Sequence, residues 1–516
     1  MLPVWLLVVS MLVDVSMLMG IIWSVHLEYG QPAPFYLKIP TFTYIFVFIA
    51  LRALRFDARF VLCIGVFAAF GWMMLTLYAI WAAGPDAITR SFVDYIAGNA
   101  ILIGAEVDKI VVILVVTAIL ALVIRRAGQV LAQARATFEE LAERYPKTTQ
   151  AVSGLTIAAD NALAAGTNDV AELLYSRVAT LATVGTDKGN AFLQIGRLAK
   201  QRGDLTNANA AFDQAIAAAP DSYISARAAD LRLGLPPFQR PAVLNFEFDE
   251  VQQLADAENW LRTTFNIPAE QASPLWVLSP ELEADPRVIR GRELWLVGVN
   301  DAAATEFFDV LEQYKTDGLA SYRLALFMRG LGAYYPSQVG AANVITAAKI
   351  STLQAPAYIA RMRYPAYYRD VVLRTSQERD IDPLLLWALI RHESLFDTYA
   401  TAAAGEKGLT QVIPDTADYI AQQLNWQDYQ HADLFRPYAG IAFGAYYLDE
   451  QLERFDGYVY AALAGYNAGP GRAITWLEIA GSDPDRFMST ISIASTQLYL
   501  QRIYSHYALY RALYGT

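Results

Sequence analysis

The stretch that decides the fold reads "NAFLQIGRLAKQRGDLTNANAAFDQAIAAAPDS", Asn190 to Ser222. It is two helix-length segments broken at Gly203 and closed by Pro220. Small residues (Gly196, Ala208, Ala215) and one aromatic (Phe212) fall where two antiparallel helices would meet. Small side chains let the helices approach closely, and each pair then buries its apolar face on the next. A looser copy precedes it, with Gly166, Ala171, Tyr175 and Val178 matching Gly203, Ala208, Phe212 and Ala215. Further on, "RGRELWLVGVNDAAATEFFDVLEQY" (Arg290 to Tyr314) repeats the same logic, with Gly298 and Asp301 at the turn. Sustained period-two alternation, the mark of strands, is absent. The chain therefore reads as all-α, with a continuous α-solenoid over 150–365.

The pattern at Asn190–Ser222 fits a tetratricopeptide repeat. Such repeats can offer a groove to a protein partner. They can equally serve as a scaffold presenting the next domain, and with so few repeats the scaffold is the favoured reading.

Outward toward the N-terminus the composition changes. The 516 residues are 55% hydrophobic and 18% charged, a balance that suits a membrane part joined to a polar part. Leu2–Val25 is apolar apart from Asp14, and lacks the basic start and cleavage site of a removed signal peptide. Asp14 reads either as a functional intramembrane acid or as one tucked between helices. Phe60–Ala83 is the clearest span, and Ile110–Ile124 ends on Arg125 and Arg126, which can snorkel to the interface. Thr41–Leu51 is a short fourth candidate followed by Arg52, Arg55 and Arg59. A membrane domain of three or four transmembrane helices over 1–126, in contact with membrane lipid, is expected. A polar linker helix over 127–149 follows, stopped by Pro146. Residues 35–130 also resemble the membrane sensor region that precedes some class III adenylate cyclases, although no cyclase catalytic domain follows.

Other classes are excluded by simple counts. The net charge of -11 argues against a nucleic-acid partner, which needs a concentrated basic surface. A single cysteine, Cys63, forbids an intramolecular disulfide, and four scattered histidines make a metal site improbable. No metal and no cofactor are expected.

Toward the C-terminus, Asp382 and Pro383 open a helix as N-cap and first residue. "LLLWALIRHES" (Leu384 to Ser394) then sets Leu385, Leu386, Leu389 and Ile390 on one face, with Glu393 one turn beyond Leu389. Partial burial raises a carboxyl pKa, and the negative end of the helix dipole acts in the same sense. Both effects suit a general acid near neutral pH, whereas an ordinary surface glutamate at a helix end would read the same from this helix alone.

Two later segments decide between these readings. "GEKGLTQVIPDTA" (Gly405 to Ala417) is a Gly-punctuated turn with Gln411 as its distinctive polar residue, and "AALAGYNAGPGRA" (Ala461 to Ala473) sets Tyr466 and Asn467 before a Gly-Pro-Gly break. With "RHESLFDTYA" these resemble, in order and spacing, the soluble-type lytic murein transglycosylases of glycoside hydrolase family 23. The solenoid text resembles the helical superhelix that precedes that domain, so the resemblance covers 150–516. It implies a lysozyme-like α domain over 366–516 that cleaves the β-1,4 bond between N-acetylmuramic acid and N-acetylglucosamine of peptidoglycan. It implies further that Glu393 is the sole acid/base, and that the muramic acid 6-hydroxyl, not water, is the nucleophile. By the same match Gln411, Tyr466, Tyr499 and Asn467 are substrate-binding residues, Asn467 more as a holder of its turn. Ser394 supports the helix end, and Gly408 and Gly469 shape the backbone near the site. Tyr399 and Trp426 are weaker candidates for stacking on sugars, and core packing is preferred for Trp426.

The chain departs from the family pattern at Thr410 (usually Met), Ala402 (commonly Ser), Ser495 (usually Glu) and Gln497 (usually Arg). These departures keep two alternatives open, a hydrolytic muramidase on the same fold and an inactive helical adaptor that binds glycan or protein. Peptidoglycan lies outside the cytoplasmic membrane, so the expected location is a multi-pass membrane protein with its catalytic domain on the extracytoplasmic side. The arginines at the span ends argue for the opposite side.

Overall fold

The computed structural model describes residues 4–53, 58–268 and 274–515. Arg55 and the side chain of Arg52 lie outside the described residues. Among the described residues there is no β-strand, only isolated bridges between helices and turns. The chain divides into two compact units, Met1–Thr183 and Val184–Thr516.

In the first unit three helices are long and apolar enough to cross a membrane: Val8–Glu28, Ala58–Ala83 and Ile103–Arg144. Large apolar side chains such as Ile21, Val66, Phe70, Val115 and Leu122 stand exposed on them. The fourth candidate forms only the 10-residue helix Tyr44–Ala53. At about 1.5 Å per residue it reaches about 15 Å, half of a bilayer core of about 30 Å. The third span and the expected linker are one uninterrupted helix of 42 residues, which stops at Arg144, two residues before Pro146. Asp14 is partly buried and interacts with a neighbouring group.

The buried carboxylate of Glu106 ties two of the long helices together through Trp72. Glu106, 1% exposed, accepts from Trp72 Nε1 at 3.1 Å, Tyr95 Oη at 2.9 Å and Lys109 Nζ at 3.1 Å. Three donors leave the carboxylate satisfied, as a buried charge requires. The unit ends in the helix pair Thr149–Ala164 and Asn168–Leu181, the looser copy read from the sequence.

The second unit opens on the decisive stretch, now the pair Gly185–Gln201 and Leu205–Ala218. A Cβ on Gly196 would sit 2.5 Å from the Phe212 ring, so glycine is what lets the helices meet there. Gly291 repeats this against Phe307 at 2.5 Å, between helices Pro286–Leu296 and Asn300–Gln313. Further helices (Gly318–Gly330, Tyr334–Ala347, Ala357–Arg363) carry the helical array on to a cluster of eight. That cluster runs from Arg369–Glu378 to the C-terminal helix Ala494–Tyr514.

At the centre of this cluster lies the acid helix, Pro383–Ser394. The expectation of one apolar face is corrected: every residue from Leu384 to Ile390 is at most 2% exposed. A helix apolar all round is a core helix. Its second side is covered by the C-terminal helix, whose tyrosines bury their rings and bring their hydroxyls to distant partners. Tyr507 donates to Asp382 at 2.7 Å, Tyr510 to the carbonyl of Pro365 at 2.9 Å and Tyr514 to that of Tyr364 at 2.8 Å. Tyr504 donates to the buried Asp230, which also pairs with Arg511.

Candidate active site

The acid helix is fixed at both ends. At its start Asp382 caps the Leu384 amide at 2.9 Å while accepting from Tyr507. At its end Ser394 donates to the carbonyls of Ile390 at 3.2 Å and Leu409 at 2.9 Å, joining the helix to the Gly-punctuated turn. Leu395 and Phe396 then take left-handed conformations, with φ of 50° and 66°. Such values are uncommon for bulky residues and need outside support. It comes from Gln338 of the helix Tyr334–Ala347, 1% exposed, which donates to the Leu395 carbonyl at 2.7 Å and accepts from Arg391. The Arg391 guanidinium also lies over the Tyr364 ring, 4.0 Å from its centroid.

This frame presents the Glu393 carboxyl to a cavity of about 500 Å³. Gln411, Tyr466, Asn467 and Gly469 line it, as do Ala402, Glu406 and Tyr447. Glu393 is partly exposed through that opening and otherwise enclosed by protein. One carboxyl oxygen accepts from Tyr499 Oη at 2.6 Å. Burial pushes the Glu393 pKa up to about 8; the Tyr499 hydrogen bond works against this, and the charge of Glu406 adds to it. His392 beside it is held down to about 4, by burial first and the charge of Arg502 second, and its ring meets that of Tyr499 edge-on at 4.7 Å.

The other residues singled out from the sequence divide into lining and bracing groups. Gln411 sits at φ 48° and donates its side-chain amide to the carbonyls of Ala400 at 3.0 Å and Gly408 at 2.8 Å. Tyr466 donates to the Thr410 carbonyl at 2.9 Å and packs at 5.1 Å from the Tyr447 ring. Asn467 lines the cavity and also accepts from Thr496 Oγ1 at 2.7 Å. Gly408, at φ 73°, has no room for a Cβ, which would fall 2.1 Å from the Leu434 carbonyl oxygen. Gly469 takes φ 89° at the start of the helix Pro470–Ala480. Tyr499 departs from its expected place: it is 5% exposed, does not line the cavity, and braces the acid from behind. Tyr399 is exposed, 5.8 Å from Phe435, and outside the lining. Trp426 packs edge-on against Phe443 at 5.3 Å.

Of the departures, Ala402 lines the cavity, and Thr410 is fully buried with its hydroxyl on the Gly440 carbonyl at 2.7 Å. Ser495 is exposed and outside the lining, and Gln497 donates to the Met488 carbonyl at 2.8 Å. Sequence reasoning missed Glu406, Tyr447 and Gln338. Glu406 carried a visible signal, an acid inside a Gly-punctuated turn; Gln338 carried none, because its contact is made across 57 residues.

Comparison with known proteins bears on the same segments. Residues 370–489 match the family model of the transglycosylase SLT domain, and residues 119–148 and 190–222 match a tetratricopeptide repeat model. The chain is 32% identical over 156 residues to the soluble lytic murein transglycosylase of Salmonella typhimurium, covering 30% of this chain and 24% of that protein. It is 30% identical over 134 residues to the membrane-bound lytic murein transglycosylase C of Edwardsiella ictaluri, covering 24% and 36%. The aligned part thus spans about a quarter of the length of the soluble relatives. The lytic transglycosylase Slt of Pseudomonas aeruginosa, solved as an inactive mutant, has a similar fold at 18% identity. The TM-score is 0.53, with 96% of this chain and 72% of that one covered. The resemblance of residues 35–130 to a cyclase sensor region finds no support among these similarities. The segment similar to the transglycosylase SLT domain contains every residue that lines the cavity around Glu393.

Proposed function

We propose that this chain is a membrane-anchored lytic transglycosylase acting on peptidoglycan, with residues 366–516 as its catalytic domain. The observation that carries the reading is Glu393: a carboxyl enclosed by protein, braced by Tyr499, and open only to a cavity that lies within the SLT-like segment. In this reading Glu393 gives its proton to the glycosidic oxygen as the C1–O bond breaks. It then takes the proton of the muramic acid 6-hydroxyl, whose oxygen bonds to C1 and leaves a 1,6-anhydro end. The nucleophile is already attached to the reacting sugar, so little entropy is lost in bringing it to C1. Gln411, Tyr466 and Asn467 hold the sugar from the cavity wall. The helical repeats act as a scaffold, since Gln338 secures the end of the acid helix.

In this reading the three long apolar helices all cross the membrane, which leaves the two ends of the crossing segment on opposite sides. An N-terminus on the cytoplasmic side then sets the catalytic domain outside, where the polymer lies, against the arginine bias.

The test is product analysis. The full-length protein in detergent, given purified sacculi, is expected to release muropeptides with 1,6-anhydromuramyl ends; fragments free of such ends would overturn the reading. The pH profile is a second check. Glu393 must hold its proton to act, so the rate is expected to fall as pH rises through about 8. Tyr499→Phe removes a hydrogen bond that favours the carboxylate, so it should move that limb to higher pH.

A further inference from the structure

The internal transfer just described needs one carboxyl group, yet the cavity has two. Glu406 lines it together with Glu393. It stands on a fixed turn. Gly405 N bonds to Ala402 O at 3.0 Å, Ala402 N to Glu406 O at 3.2 Å and Lys407 N to Val412 O at 3.3 Å. His431 Nε2 bonds to the Gly405 carbonyl at 2.7 Å. One carboxylate oxygen of Glu406 accepts from the Ala404 amide at 2.9 Å, which aims the side chain. Among the described residues no cation forms an ion pair with it, and the ammonium of neighbouring Lys407 is engaged over the Phe435 ring, 5.3 Å from its centroid. Its charge is felt at Glu393, so the two groups share one electrostatic site. A water occupies only about 30 Å³ of liquid volume, which this cavity can hold beside a sugar. An acid and a second carboxylate lining one cavity are the two groups that attack by water on a glycosidic bond uses, one on each side of the sugar.

We propose that Glu406 is a second catalytic carboxylate that holds a water at the anomeric carbon, so that part of the turnover ends in hydrolysis; this rests on the assignment of the same cavity as a transglycosylase site. In that branch the water oxygen bonds to C1 and the C1–O bond to the leaving sugar breaks. The proton of Glu393 goes to the leaving oxygen and Glu406 takes one proton from the water, whose other proton stays on the new C1 hydroxyl; on product release Glu406 loses its proton to solvent and Glu393 regains one from it. The two branches compete for one activated sugar, and their products differ by one water.

The experiment is mass spectrometry of the muropeptides released from sacculi by the full-length protein. The background given by a Glu393→Gln sample is subtracted. Wild type is expected to release both reducing and anhydro ends. Glu406→Gln keeps an acceptor for the Ala404 amide but loses the base. It should lower the ratio of reducing to anhydro ends at least about tenfold, since a general base is worth about 10²–10⁴. Glu478→Gln, on an exposed helix face outside the cavity, should leave the ratio as in wild type. The ratio is internal to each digest, so partial misfolding of a variant does not change its meaning. Wild type that releases anhydro ends alone, or a ratio unmoved in Glu406→Gln, overturns this proposal and leaves the transglycosylase reading standing. Reducing ends alone, lost in Glu406→Gln, would sink the transglycosylase reading and keep the role of Glu406.

Discussion

Glu393→Gln is expected to slow glycan cleavage by about 10²–10⁴, measured as initial release of muropeptides from sacculi. Glutamine fills the same space and can still accept from Tyr499, but it has no proton to give. The same change is expected to stabilise the protein at neutral and alkaline pH. Burial holds the Glu393 pKa at about 8 against an ordinary 4.5, so between these values the folded chain binds a proton that the unfolded chain has released. Stability therefore falls as pH rises through that window, and the glutamine variant escapes the loss. Its Tm should exceed that of wild type at pH 8, and the difference should vanish below the ordinary carboxyl range. Loss of activity with gain of stability is the mark of a strained working group; loss of both would make Glu393 a structural residue.

The largest expected effect on stability lies elsewhere. Arg227, on the helix Tyr223–Leu233, holds Asp485 with two parallel bonds, Nε to Oδ1 at 2.9 Å and Nη2 to Oδ2 at 2.8 Å. Arg197 adds a contact to the same carboxylate at 3.2 Å. Both partners are largely buried, with side chains 5% and 12% exposed. Burial pushes the Asp485 carboxyl up, but the Arg227 bonds and the two arginine charges outweigh it and hold it below the usual range. Arg227→Ala leaves that carboxylate with only the single contact to Arg197, itself about one-third exposed, and should cost about 3 kcal/mol in denaturant unfolding. Arg227→Lys should rescue little, because an ammonium cannot make the two-pronged contact. Replacing both residues with leucine should recover most of the loss, since an apolar pair has no charge to strand. A cost within about 0.5 kcal/mol for Arg227→Ala would mean the pair is a solvated surface contact.

How much of this was legible in the sequence depends on the distance over which each feature is made. The helical pairs were readable because their determinants are local and repeat: Gly196 with Phe212, and Gly291 with Phe307, are each 16 residues apart and meet at 2.5 Å. The start of the acid helix was readable from Asp382 and Pro383, and Glu393 from its place at the helix end. That the helix is buried on every side was not readable. Its cover comes from tyrosines more than a hundred residues later, and Tyr499 and Tyr507 look in sequence like any other tyrosines. The position of Tyr499 was hidden for the same reason: a bond across 106 residues brings its hydroxyl to Glu393. In sequence Glu406 is one polar residue among several in the turn that holds Gln411, and only the cavity brings it together with Glu393. The short helix Tyr44–Ala53 was apolar enough for a span but has too few residues to reach across one.

The most direct test of the account is a structure of the Glu393→Gln variant with a bound peptidoglycan fragment. The expected result is a muramic acid–glucosamine bond in the cavity, its glycosidic oxygen within about 3.2 Å of the side-chain amide at position 393, with the muramic acid 6-hydroxyl turned toward C1. A glycan seated away from that amide, or a 6-hydroxyl held pointing away from C1, would contradict it.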